Sequence, residues 1–140
     1  MDKNRILFSL IKERKWEKTI DFINNNEDVD VNIKDNSNIY LIQYSILFNN
    51  IELKSLLINK GAKLDIIDID GRSLLYTPIN YNYIKILELL LYFNKTIIGM
   101  SLIDIIDKNQ LYAIHYAIRI KNIEIIRLLI NAGTNMNIVD

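Results

Sequence analysis

Apolar residues fall along the chain in short paired runs. Leu41 to Phe48 forms one run, Asn49 and Asn50 interrupt it, and Ile51, Leu53, Leu56 and Leu57 form a second, which Gly61 closes. Recurrence every three to four positions predicts helices, and a glycine just beyond the last apolar position predicts where the second one ends. The polar stretch before Leu41 reads as a turn. The predicted unit is therefore turn, helix, turn, helix.

This succession repeats. "NIELKSLLINKG" (Asn50 to Gly61) returns as "NIEIIRLLINAG" (Asn122 to Gly133). Between them, "DIDGRSLLYTPINYNYIKILELLL" (Asp68 to Leu91) keeps the same frame, with Tyr83-Ile84-Lys85 in the Asn-Ile-Glu slot. Each unit ends in one phrase: "VNIKD" at Val31, "LDIID" at Leu64, "IDIID" at Ile103 and "MNIVD" at Met136. Asp35 and Asp68 are 33 residues apart, as are Asp107 and Asp140, whereas Asp68 and Asp107 are 39 apart. A lone pair of short helices cannot bury its apolar faces, so units of this period must stack on their neighbours.

"IHYA" (Ile114 to Ala117), "NIEIIRLLINAGTNMN" (Asn122 to Asn137) and "NIELKSLLINKGAKLD" (Asn50 to Asp65) resemble the ankyrin repeat. The resemblance covers the whole chain and implies an all-α ankyrin-repeat solenoid, helix-turn-helix units joined by short hairpin loops. On this reading 1–140 is a single domain. Residues 1–34 are an N-terminal capping unit, and 35–67, 68–106 and 107–139 are further repeats, the third with an insertion near 94–103. The Ile- and Asn-rich composition resembles ankyrin repeat proteins of giant viruses and poxviruses.

Three departures from the family pattern carry expectations. The family's Thr-Pro-Leu-His tetrad reads Tyr40-Leu41-Ile42-Gln43, Ser73-Leu74-Leu75-Tyr76 and Tyr112-Ala113-Ile114-His115. Gln43 and His115 can still bond near the start of the first helix, and Tyr76 is expected not to. Pro78 should kink the third repeat's first helix, or delay its start with Thr77 as N-cap. Asn94 replaces the closing glycine, and the following insertion reads as a tolerated loop or as an apolar protrusion tipped by Ile97, Ile98 and Met100.

Composition narrows the functional classes. The 140 residues carry 17 basic and 17 acidic side chains, so no bulk charge attracts nucleic acid or an anionic membrane. No cysteine is present, which excludes disulfides and thiolate chemistry. No apolar run approaches the length of a spanning helix, and the N-terminal run is too short for a signal peptide, so an intracellular, cytoplasmic protein is expected, in a host cell if viral. The single histidine, His115, sits at the family's structural slot. Without a nucleotide loop, zinc motif or nucleophile elbow, neither an enzyme nor a cofactor nor a metal is implied.

The resemblance implies instead a non-catalytic module that binds an unidentified protein through its concave face. Carried over residue by residue, the loop tips offer Asn36, Ser37, Ile39, Ile69, Asp70, Arg72, Lys108, Asn109 and Leu111, and the ends of the first helices offer Leu47 and Arg119. Phe48, Tyr81 and Ile120 share one slot in three successive repeats and read as an apolar stripe suited to anchoring a partner. The alternative is a self-assembling structural module, or the N-terminal part of a longer adaptor of host-interaction or ubiquitin-ligase type. The last repeat is as apolar as the inner ones, so either the isolated chain is expected to self-associate through its outer face or further sequence or a partner is expected to cover that face.

Overall fold

The computed structural model describes residues 2–94, 101–135 and 137. The tip assigned to the insertion (Ile97, Ile98, Met100) lies outside the described residues. So does most of the closing "MNIVD" phrase. Eight α-helices and one 3-10 turn form, with no β-strand among the described residues. The chain divides into two compact units, Met1–Lys63 and Leu64–Asp140.

In the first unit α1 (Lys3–Lys12) and α2 (Trp16–Asn25) make one pair, and α3 (Leu41–Leu47) and α4 (Ile51–Asn59) the next. First helix packs on first, α1 on α3, and second on second, α2 on α4. Leu7, Phe8 and Ile11 of α1 recur at helical spacing and are buried, as are Leu53 and Leu57 of α4. Caps set the ends. The Asp2 carboxylate accepts the Asn4 and Arg5 N–H groups, and the Asn50 amide oxygen accepts that of Leu53 at 2.9 Å. The side chain of Lys54, fully buried in α4, occupies the slot that Leu87 holds in the next repeat.

The second unit repeats the plan with α5 (Tyr76–Tyr81), α6 (Ile84–Asn94), α7 (Ala113–Arg119) and α8 (Ile123–Asn131). α5 packs on α7, α6 on α8, and the 3-10 turn Leu102–Asp104 on α6 and α7. The turn buries Leu102 and Ile103, so this end of the insertion is anchored in the core.

Pro78 delays α5, but Thr77 is not its cap. The helix begins at Tyr76, two residues later in the frame than α3 and α7, after Leu75 as N-cap. The reason is a tight turn at Ser73. Its hydroxyl accepts the Leu75 N–H at 3.2 Å and its carbonyl accepts that of Tyr76. Pro78 thus falls in the first turn, where an N–H would have no intrahelical partner anyway.

Candidate functional site

The recurring aspartates explain the loops. Asp35, Asp68 and Asp107 each use one carboxylate oxygen to accept two backbone N–H groups, two and four residues on, at 2.8 to 3.1 Å. Each loop then crosses into the left-handed region at the same slot, Asn38, Gly71 or Gln110. Glycine is needed at only one of these. A Cβ on Gly71 would stand 3.2 Å from the Lys108 nitrogen and 3.3 Å from the Asp107 Cα, because the Lys108 N–H donates to the Asp70 carbonyl and draws the two loops together.

The second carboxylate oxygen reaches the helix that follows. The Tyr116 hydroxyl donates to Asp107 at 2.7 Å, and the Tyr44 hydroxyl donates to Asp35. In the third repeat Thr77 holds the tyrosine slot, and Arg72 supplies the charge instead. Its guanidinium donates to Asp68 at 3.1 Å, pairs with Asp70, and stacks over the Tyr76 ring at 4.0 Å. Tyr76 in turn meets Tyr116 edge-on at 4.9 Å. In the first unit Lys12 lies 3.2 Å from Asp35.

These contacts fix the electrostatics. Burial pushes the Asp35 and Asp107 carboxyls up. The tyrosine hydroxyls and backbone N–H groups outweigh it, and both carboxyls lie below the usual range. Burial and the neighbouring carboxylate both push the Tyr44 and Tyr116 phenols up. The loops are thus held by ionised aspartates and neutral tyrosines. At the helix starts, Gln43 accepts the Tyr40 N–H at 2.7 Å and His115 Nδ1 accepts that of Tyr112 at 2.8 Å, so the two side chains do the same work.

Around this framework lie the residues read from sequence as partner-binding. In the first unit Asn36 and Ser37 are exposed at the loop tip, Ile39 is half-buried and Leu47 is exposed. Phe48 is half-buried. Its ring stands 5.5 Å from Trp16, stacks near Tyr44, and lies 4.6 Å beneath the Arg14 guanidinium. A groove of about 710 Å³ runs between α1 and the loop, lined by Arg5, Phe8, Lys12, Lys34 and Asp35 among others. Both charge signs line it.

In the second unit Ile69, Asp70, Lys108 and Asn109 are exposed at the loop tips, Arg72 and Leu111 are half-buried, and Tyr81, Arg119 and Ile120 are exposed at the helix ends. Ile69 is 84% exposed, more than any other large apolar side chain described. Ile67 and Ile106, also exposed, hold one slot in adjacent loops. They were missed in the sequence because they sit inside the linking phrase. The signal was there, since Lys34 fills this slot in the preceding loop.

Residues 109–140, which contain α7 and α8, match the ankyrin repeat family model. An ankyrin repeat protein of Acanthamoeba polyphaga mimivirus is 35% identical over 133 residues, 94% of this chain and 17% of that protein. The chain belongs to the ankyrin repeat family. It spans less than a fifth of the length of this viral relative. Ankyrin repeats mediate protein–protein interaction as a class and are as a rule non-catalytic. No helix among the described residues of this ankyrin repeat protein is long and apolar enough to cross a membrane.

Proposed function

We propose that this ankyrin repeat protein binds a protein partner without catalysis, and that the partner docks on the loop tips and first-helix ends of the second unit. One observation carries the reading. Ile67, Ile69 and Ile106 expose apolar surface on two loops locked together by the Lys108–Asp70 backbone bond. Equivalent positions in the loop of the first unit are the polar Lys34 and Asn36. Apolar residues on a rigid frame, ringed by Asp70, Lys108 and Asn109, suit an anchor with a polar rim. Tyr81 and Ile120 at the ends of α5 and α7 extend the same kind of surface. Binding needs no loop rearrangement, since each tip is held by its aspartate before a partner arrives.

The test is affinity capture with the intact chain and with an Ile69→Asp/Tyr81→Asp double variant. Both positions are exposed, so the fold should survive, which circular dichroism checks. A partner retained by the intact chain and by Tyr92→Asp on α6, but lost by the double variant, supports the reading. A partner retained by the double variant contradicts it.

A further inference from the structure

We propose that the partner docked on the second unit presents an acidic segment, with a large apolar side chain about three residues from its carboxylates. This names the partner's chemistry and rests on the docking surface proposed above. The evidence is where positive charge falls among equivalent slots. Lys108 at the loop tip, and Arg119 and Lys121 at the end of α7, are all exposed. The same slots one repeat earlier hold Ile69, Asn80 and Asn82, and two repeats earlier Asn36, Leu47 and Asn49. Slots that are neutral twice over are cationic together in one repeat.

Helix stability alone does not call for these charges. Arg119 lies in the last turn of α7, where a cation complements the open carbonyls. Yet α3 and α5 carry no basic residue in that turn, and Lys108 is not on a helix. Nor are the charges used inside the protein. Among the described residues none of the three forms an ion pair. The aspartates of these two loops are already engaged, Asp107 by the Tyr116 hydroxyl and Asp68 and Asp70 by Arg72. The slots also stay open within the stack, since Ile69, Asn80 and Tyr81 are exposed although α7 packs on α5.

Apolar surface lies beside the cations. Ile69 and Tyr81 occupy the slots one repeat back, and Ile120 stands between Arg119 and Lys121. Stacked helix pairs are roughly 10 Å apart. An extended chain covers that distance in about three residues. A partner that lays an apolar side chain on Ile69 or Tyr81 therefore brings the residue about three positions away to Lys108 or Arg119. Asp or Glu there gains a charge-assisted hydrogen bond, strengthened where the apolar anchor excludes water. A basic segment meets like charge instead.

Selection from a random peptide library on the full chain tests this, with two variants, Lys108→Asn/Arg119→Asn/Lys121→Asn and Ile69→Asp/Tyr81→Asp. The triple variant puts at each position an asparagine that another repeat already carries there, so the fold should survive, which circular dichroism checks. Lys108→Asn alone, off the helices, serves if the triple variant does not fold. Enriched peptides are expected to carry Asp or Glu about three residues from a large apolar side chain. A labelled copy of the commonest peptide should bind the intact chain and lose about tenfold or more in affinity on the triple variant. It should also weaken as salt rises from about 0.1 to 1 M, where the screening length falls from about 10 to 3 Å. Enriched peptides with no excess of acidic residues, or a smaller loss on the triple variant, overturn the acidic segment. So does a single-stranded oligonucleotide that binds as tightly as the peptide, which would mark plain attraction for polyanions. Peptides that need Ile69 and Tyr81 but not the cations leave the docking surface standing, and peptides indifferent to both sets sink both proposals. A library without binders overturns the acidic segment and leaves the docking surface to the capture experiment.

Discussion

Replacing Tyr116 by phenylalanine removes one oxygen and keeps the ring against Tyr76. The lost bond is a 2.7 Å donation to a carboxylate that is 6% exposed. Hydrogen bonds to charged groups contribute about 1.5–3 kcal/mol. Asp107 retains two backbone donors and the neighbouring Arg72 charge, so the carboxylate is not stranded and the lower end applies, about 1.5 kcal/mol. Tyr44→Phe should cost slightly less, about 1 kcal/mol, because Lys12 also supports Asp35. Urea unfolding followed by circular dichroism measures both, with the exposed Tyr92→Phe as a control expected within about 0.3 kcal/mol of the parent. The pH dependence separates hydroxyl from ring. The folded phenol pKa values are raised above the ordinary 10.0, so this contribution is whole below pH 10 and is lost as pH rises through the folded values. The folded carboxyl pKa values lie below 3.8, so theirs is present above about pH 4 and is lost as pH falls through the folded values. Each Tyr→Phe change should flatten the alkaline fall. A Tyr116→Phe protein as stable as the parent, with the same alkaline profile, would refute the idea that the aspartate–tyrosine bond ties loop to helix.

Further outcomes follow from the same contacts. Gly71→Ala combines a left-handed backbone with a 3.2 Å approach to the next loop, so it should cost about 2–3 kcal/mol, against about 1 for Gly61→Ala, which has open space; equal losses in thermal melts would argue against close loop packing. His115→Ala should cost about 1 kcal/mol while His115→Gln costs little, since Gln43 already makes the equivalent bond; chemical denaturation of the two variants decides. Asn122→Ala removes the α8 cap to the Ile125 N–H and the 3.0 Å bond to Asn82, and should lose about 1–2 kcal/mol, read as faster hydrogen exchange in the first turn of α8.

Much of this was legible from periodicity. The helix pairs, the turn at Asn49, the glycine after α4 and the repeat frame all follow from local spacing, because each unit is built from contacts close in sequence. The late start of α5 was half legible. Pro78 announced it, but the Ser73 turn that sets Tyr76 as the first helical residue depends on a side-chain bond that no pattern displays. The tyrosine ties were hidden by distance along the chain, although Tyr44 and Tyr116 stand nine residues after their aspartates in both repeats. Lys54 was illegible, since a charged residue between Leu53 and Ser55 looks solvated and only packing shows it filling an apolar slot. Of the apolar stripe, the sequence showed the shared slot of Phe48, Tyr81 and Ile120 but not that Trp16 and Arg14 would cover the Phe48 ring.

The proposed docking of a protein partner on the loop tips of the second unit can be read amide by amide. The measurement is hydrogen exchange of the captured complex against that of the free chain. Added protection is expected at Ile67 to Arg72 and Ile106 to Leu111, with the amides of α6 near Glu88 and Tyr92 unchanged. Protection confined to α6 and α8, with both loops exchanging as in the free chain, would contradict it.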